Sequence, residues 1–162
     1  MSGMHYDDSP YPVRDDITEA HRRAWDRLSG AGSWLTGAER IKVMAETRHA
    51  RNCATCAKVK DALSPFAVKD AHDAGTDLPE NRVKMIHMIV ADPGRLTHGW
   101  YRNTMESGIE ETHFVEIVSV VAHTTAIDTF AKGLGVPLRE LPTAQAGEPS
   151  HYRPAEARQH QA

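Results

Sequence analysis

The 162-residue chain has very little cysteine, since Cys53 and Cys56 are the only two in the sequence. Two cysteines three positions apart close a loop that is too short to stabilise a fold by constraining the unfolded chain. This spacing excludes a disulfide framework. It favours reversible thiol chemistry, either a dithiol/disulfide couple or half of a metal site.

The sequence also lacks an excess of positive charge. Its 19 lysines and arginines are outnumbered by 22 acidic residues, which gives a formal net charge of −3. A binding surface for nucleic acid or for an anionic membrane normally needs a basic patch. The composition therefore predicts neither of these partners.

Long apolar runs are missing as well, and none approaches the length of a membrane span. The polar N-terminus as far as Pro12 has no apolar core of a secretory signal. We therefore expect a cytoplasmic protein, in a reducing compartment where paired thiols are typically catalytic or metal-binding. Hydrophobic residues still make up 40% of the chain, which is enough for one core.

What the sequence does contain is helical periodicity, without the alternation of a strand. The pattern predicts an all-α domain over residues 15–136, with a flexible segment before it (1–14) and an extended or disordered tail after it (137–162). Helices are expected at about Asp15–Leu28, from Ala38, at Cys53–Leu63 (ended by Pro65), Pro79–Ala91, Arg95–Met105 and Glu110–Lys132. The last and most apolar of them should be central or lie in a subunit interface.

Two of the expected helix starts carry capping signals. Asp15 or Asp16 is expected to cap the first helix. Thr36 and Glu39 have the spacing of a capping box at the start of the second.

The chemistry of the thiols depends on whether the second helix continues. A break near Asn52 would place Cys53 at the start of the next helix, where backbone N–H groups and the dipole favour a thiolate. A continuous helix would instead place five polar side chains on one face, namely Glu46, His49, Cys53, Cys56 and Lys60. Such a face could deprotonate a thiol, or it could simply be solvated.

Three stretches of the chain resemble the AhpD-like, or carboxymuconolactone decarboxylase-like, superfamily. They are Leu35–Arg40 leading into Cys53-Ala54-Thr55-Cys56, the segment His87–Leu96, and the long stretch Gly108–Pro137. Together they span about residues 35–142. The resemblance implies an AhpD-like helical bundle that assembles into trimers or hexamers.

The resemblance also implies a thiol-dependent peroxidase that reduces small organic hydroperoxides with an external dithiol reductant, and that uses no cofactor or metal. Cys56 would attack the peroxide and Cys53 would resolve it to a disulfide. The helix-dipole argument instead makes Cys53 the more acidic thiol. The two arguments assign the more reactive role differently.

The proton relay of that superfamily is absent from its usual positions, which here hold Ile41, Thr55 and Lys60. A substitute would have to come from Glu39, Glu46, His49, His87 or His123. The predicted catalytic set is therefore Cys53 and Cys56 with Glu46, His49 and His87.

Two other functions remain open at this stage. Cys53 and Cys56 could join His49, His87 or His123 in a tetrahedral zinc or copper site. Alternatively, the chain is a helical oligomerisation module with thiols that do no chemistry. A histidine in an apolar helix, such as His87, is also typical of a hydrogen-bonded core residue.

Overall fold

The computed structural model describes residues 4–64 and 67–156, and over those ranges the chain forms six α-helices and no strand. In chain order they are α1 (Asp15–Ser29), α2 (Gly37–Ala50), α3 (Ala54–Asp61), α4 (Glu80–Ala91), α5 (His98–Glu106) and α6 (Glu111–Gly133). The predicted all-α fold class is confirmed. The AhpD-like bundle and its assembly into an oligomer stay predictions.

The start of α2 follows the sequence signal, and the start of α1 does not. The Thr36 hydroxyl accepts from the Glu39 N–H at 3.2 Å, while the Glu39 carboxylate accepts from the Thr36 N–H at 2.9 Å. This reciprocal pair is the predicted capping box. The predicted cap of α1 is wrong, because Arg14 is its N-cap and Asp15 and Asp16 lie in its first turn. Both carboxylates still favour the positive end of the helix dipole there.

The segment before α5 also differs from the prediction. One helix over about Arg95–Met105 is wrong, because a 3₁₀ turn at Pro93–Arg95 comes first and Thr97 then caps a separate helix. The Thr97 hydroxyl accepts a first-turn backbone N–H at 3.1 Å, which starts α5 at the next residue. Pro65 lies outside the described residues.

The core forms around α2, which contacts α1, α4 and α6, while α3 packs on α4. Large side chains from most of these elements are fully buried, among them Trp25, Leu35, Met44, Met85, Ile86 and Ile117. Because α2 and α4 lie side by side and α3 packs on α4, polar residues far apart in sequence come together near the start of α3.

Helix α6 is long and apolar enough to cross a membrane by length and composition, which corrects the expectation that no segment approaches such a span. A core helix of a bundle has the same properties. In the fold, 44% of its most apolar window is buried inside the molecule. Its Glu116 and Asp128 pair with arginines of α2.

The chain after α6 runs back over the bundle without a helix or strand through residues 137–153. The Gln145 N–H donates to the Ser29 carbonyl at 2.8 Å, at the end of α1. The buried Trp25 indole N–H donates to the Glu140 carbonyl, also at 2.8 Å. In this part the extended arm is therefore hydrogen-bonded to the helices.

Candidate functional site

The two cysteines lie where the chain breaks between α2 and α3. Cys53 is the N-cap of α3, with φ −71° and ψ 123°, so of the two alternatives the break near Asn52 is the one that the structure shows. Turn hydrogen bonds from the Asn52 N–H to the His49 carbonyl and from the Cys53 N–H to the Ala50 carbonyl form this break. A continuous helix, and with it the single polar face ending at Lys60, is wrong.

Both cysteines are free thiols, and only 3% of Cys53 and 4% of Cys56 is exposed. Burial raises the pKa of Cys53, but the backbone N–H groups of Cys56, Asp73 and Thr55, together with the Cys56 thiol, outweigh burial and leave that pKa below its ordinary value. Burial and the neighbouring Cys53 sulfur raise the pKa of Cys56 to about 12. Cys56 therefore needs a base to ionise.

That base is in contact with it. His87, from α4, places Nδ1 3.3 Å from the Cys56 Sγ. Its Nε2 lies 2.7 Å from the Oε1 of Glu46 on α2, and both side chains are fully buried. Because an ionised carboxylate only accepts hydrogen bonds, Nε2 carries the proton and the lone pair of Nδ1 faces the sulfur.

The Glu46 carboxylate is held by neutral donors from the loop before α4. It accepts from the Thr76 hydroxyl at 2.5 Å and from the Gly75 N–H at 3.2 Å. Burial raises the pKa of Glu46, but the hydrogen bonds from Thr76, His87 and Gly75 outweigh it and lower the pKa below its ordinary value. Glu46 is therefore an anion in a dry site, able to stabilise an imidazolium at His87.

A second imidazole completes the site from the same loop. The Nδ1 of His72 lies 3.4 Å from the Cys56 Sγ and 3.8 Å from the Cys53 Sγ. The Thr55 hydroxyl, from α3, donates to the Ala71 carbonyl at 2.8 Å and fixes the loop beside the thiols. Burial lowers the pKa of His72 to about 4, so that the ring is neutral near pH 7.

The sequence prediction named Cys53, Cys56, Glu46 and His87, which the structure brings together, and missed His72. Helical periodicity cannot identify His72, because this residue lies in a loop. The only sequence signal was that the loop before α4 contains a histidine. His49 lies at the edge of the site, where its Nε2 contacts the Asp73 carboxylate at 3.1 Å.

The other candidate residues lie elsewhere. His123 is exposed and its Nδ1 contacts the Ser119 carbonyl at 2.7 Å within α6. Glu39 belongs to the capping box of α2 and also pairs with Arg82 at 3.1 Å. Neither reaches the sulfurs.

The site also has the donors of a metal centre. The sulfurs of Cys53 and Cys56 and one nitrogen each of His72 and His87 all lie within 4.8 Å of one another. No family model, no curated protein and no solved structure matches this chain.

Proposed function

We propose that the chain is a thiol-dependent oxidoreductase that reduces small organic hydroperoxides through a Cys53–Cys56 disulfide cycle. The observation that supports it best is the contact chain from the Cys56 Sγ to the His87 Nδ1 at 3.3 Å and from the His87 Nε2 to Glu46 at 2.7 Å. A thiol, a base and a carboxylate that orients the base form the arrangement that activates a nucleophile.

In the first step, the Cys56 S–H gives its proton to the His87 Nδ1. The imidazolium that forms keeps its other N–H on the Glu46 carboxylate, whose negative charge stabilises it in the dry interior. This relay transfers the proton that the usual relay residues of AhpD-like proteins would transfer. In this chain the positions of those residues hold Ile41, Thr55 and Lys60. The relay uses residues of α2 and α4 instead.

In the second step, the Cys56 thiolate attacks the terminal, hydrogen-bearing oxygen of the hydroperoxide. The O–O bond breaks, the sulfur becomes a sulfenic acid, and the alkoxide leaves with a proton from His87. The organic product is an alcohol. The His87 imidazole returns to its neutral form.

In the third step, the Cys53 sulfur attacks the Cys56 sulfur and displaces hydroxide, which takes up a proton and leaves as water. The two sulfurs lie within 4.8 Å of each other in the reduced protein. The backbone N–H groups around Cys53 favour its thiolate, which suits the resolving role. An external dithiol then reduces the disulfide and restores both thiols.

This assignment follows the resemblance to AhpD-like proteins, which we extend to the fold and to assembly as a trimer or hexamer. Sedimentation of the purified chain tests the assembly. A monomer at micromolar concentration would remove the oligomer from the proposal and leave the thiol chemistry in place.

The test is the consumption of tert-butyl hydroperoxide by the purified chain with dithiothreitol as the donor. We expect Cys56→Ser to abolish turnover. Cys53→Ser should complete one attack and then stop as a Cys56 sulfenic acid, which a dimedone reagent traps and mass spectrometry locates.

The two variants control for each other, because each removes one buried sulfur from the same turn. Full turnover by Cys56→Ser would refute the proposal. Trapping of a sulfenic acid on Cys53 in the Cys56→Ser variant, with none on Cys56 in the Cys53→Ser variant, would reverse the two roles. The relay through His87 would then be wrong.

A further inference from the structure

The site brings four lone-pair donors within 4.8 Å of one another. The Cys56 Sγ lies 3.3 Å from the His87 Nδ1 and 3.4 Å from the His72 Nδ1, and the Cys53 Sγ lies 3.8 Å from the His72 Nδ1. In a tetrahedral zinc site, bonds of about 2.3 Å to sulfur and about 2.0–2.1 Å to nitrogen put sulfur and nitrogen ligands about 3.5 Å apart. Two of the observed distances, 3.3 and 3.4 Å, are slightly shorter than this ligand separation, and the third, 3.8 Å, is slightly longer.

The groups behind the donors also suit a metal. Glu46 fixes the His87 proton on Nε2 and leaves the Nδ1 lone pair directed into the cluster. A carboxylate behind a ligating histidine is the usual outer partner of a zinc site. Thr55 holds the loop that carries His72 through its hydrogen bond to the Ala71 carbonyl.

We propose that the reduced site binds one Zn²⁺ through the Cys53 and Cys56 sulfurs and the His72 and His87 nitrogens. Two thiolates and two imidazoles in tetrahedral arrangement are a donor set that zinc prefers. Four protein ligands close the site, as in structural zinc centres, and leave no open position for a substrate. Binding releases the two thiol protons.

Zinc occupancy stands on the geometry alone, and its effect on turnover depends on the proposed function. While both sulfurs are bound to the metal, the pair stays reduced. A hydroperoxide ends this state by oxidising the two thiolates. That reaction takes up two protons and converts two thiolates and the hydroperoxide into the disulfide, an alcohol and water. The disulfide does not ligate, so Zn²⁺ is released.

The experiment uses the full chain, purified without a histidine tag, reduced, and freed of metal by chelation. Titration with zinc chloride, followed by a chromophoric chelator, should give one tightly bound zinc per chain. Titration with cobalt(II) should give the visible absorption of a tetrahedral thiolate site, a readout that does not depend on turnover.

Matched histidine variants identify the ligands. His72→Asn should weaken zinc binding about 100-fold or more, because it removes a ligand and not only an outer partner. His123→Asn, at an exposed histidine of α6, should keep one zinc with unchanged affinity. Glu46→Gln should keep the stoichiometry and weaken binding about 10- to 100-fold.

Circular dichroism establishes that each variant is folded. A wild-type chain that binds no stoichiometric zinc overturns the inference, as does a folded His72→Asn variant that binds zinc like the wild type. Zinc binding by a metal-free chain that consumes no hydroperoxide would refute the proposed function alone. Turnover by a chain that binds no zinc would refute the zinc site alone.

Discussion

Three buried carboxylates of this bundle differ in what surrounds them. Glu116 lies 3.0 Å from Arg40, and Asp128 is bound by both nitrogens of the Arg48 guanidinium edge, at 2.8 and 3.1 Å. Glu46 is fully buried, and among the described residues its hydrogen-bond partners are a hydroxyl, a backbone N–H and the His87 ring.

The carboxylates paired with arginine therefore have a structural role, and the Glu46 carboxylate is suited to a chemical one. A buried carboxylate that faces a guanidinium is neutralised at all times, so its contribution is to hold α6 against α2. Within the described part of the chain, no arginine or lysine pairs with Glu46. Its charge is available to a proton or to a metal ion that arrives at His87.

The largest effect is expected for Glu46→Gln on catalysis. A glutamine would keep its amide oxygen at the position that accepts from the Gly75 N–H and the His87 Nε2, but it removes the negative charge that stabilises the imidazolium formed when His87 takes the Cys56 proton. We expect kcat/KM for hydroperoxide reduction to fall about 100-fold or more, within the range of general-base loss. Steady-state kinetics with purified protein measure this.

The matched variant is Glu116→Gln, which also neutralises a buried carboxylate of the bundle. It should lower the urea midpoint while the folded protein keeps its turnover. Equal losses of activity in Glu46→Gln and Glu116→Gln would contradict the assignment of a chemical role to Glu46 and a structural role to Glu116.

The next largest effect is expected for Asp128→Ala on stability. The change leaves Arg48 without its carboxylate in a mostly buried position, and breaking a buried pair in this way costs about 3–5 kcal/mol. Asp77→Ala removes an exposed partner of Lys42 and should cost less than about 1 kcal/mol. Urea unfolding measures both, and equal midpoints would contradict the structural role of Asp128.

A smaller effect is expected for Gly75→Ala, at the boundary of the site. The added Cβ would lie 2.5 Å from the His49 Cγ, so either the His49 side chain or the loop that donates to Glu46 must shift. We expect a stability loss of about 1–3 kcal/mol from overpacking, with reduced turnover. Gly94→Ala, whose Cβ meets nothing within 4 Å, serves as the control and should leave both properties unchanged.

The smallest effect is expected for Thr36→Ala. Loss of the hydroxyl that accepts from the Glu39 N–H should cost about 1 kcal/mol. The start of α2 is far along the helix from Glu46, so turnover and zinc affinity should stay at wild-type values. A loss of turnover in folded Thr36→Ala would mean that the helix start and the site are coupled.

Much of the fold was predictable because helices depend on local signals. The apolar period located the helical segments, although it left open whether α2 and α3 were separate, and the capping box of α2 followed from Thr36 and Glu39. The errors fell at short-range details. The N-cap of α1 is Arg14, whose side chain makes no capping hydrogen bond. Thr97 caps α5 as a separate helix after a 3₁₀ turn.

The site was predictable only in part, because its contacts connect distant segments. Cys53 and Cys56 stood out by spacing, and Glu46 and His87 as polar residues in helices. Which face of α4 meets α2 is decided by packing, so the contact between Glu46 and His87 required the structure. His72 had no periodic signal, because its position depends on hydrogen bonds of a loop.

His72 is also the only member of the cluster outside the α3 and α4 segments, and it is the least enclosed of the four. Of the four side chains, the His72 ring is therefore the one most accessible to solvent. Two hydrogen bonds hold the loop that carries His72, one from the Thr55 hydroxyl to the Ala71 carbonyl and one from the Thr76 hydroxyl to the Glu46 carboxylate. Under the proposed function, this loop and not a helix would select the size of the hydroperoxide, and substitutions in the loop would alter the preference for bulky or small organic groups.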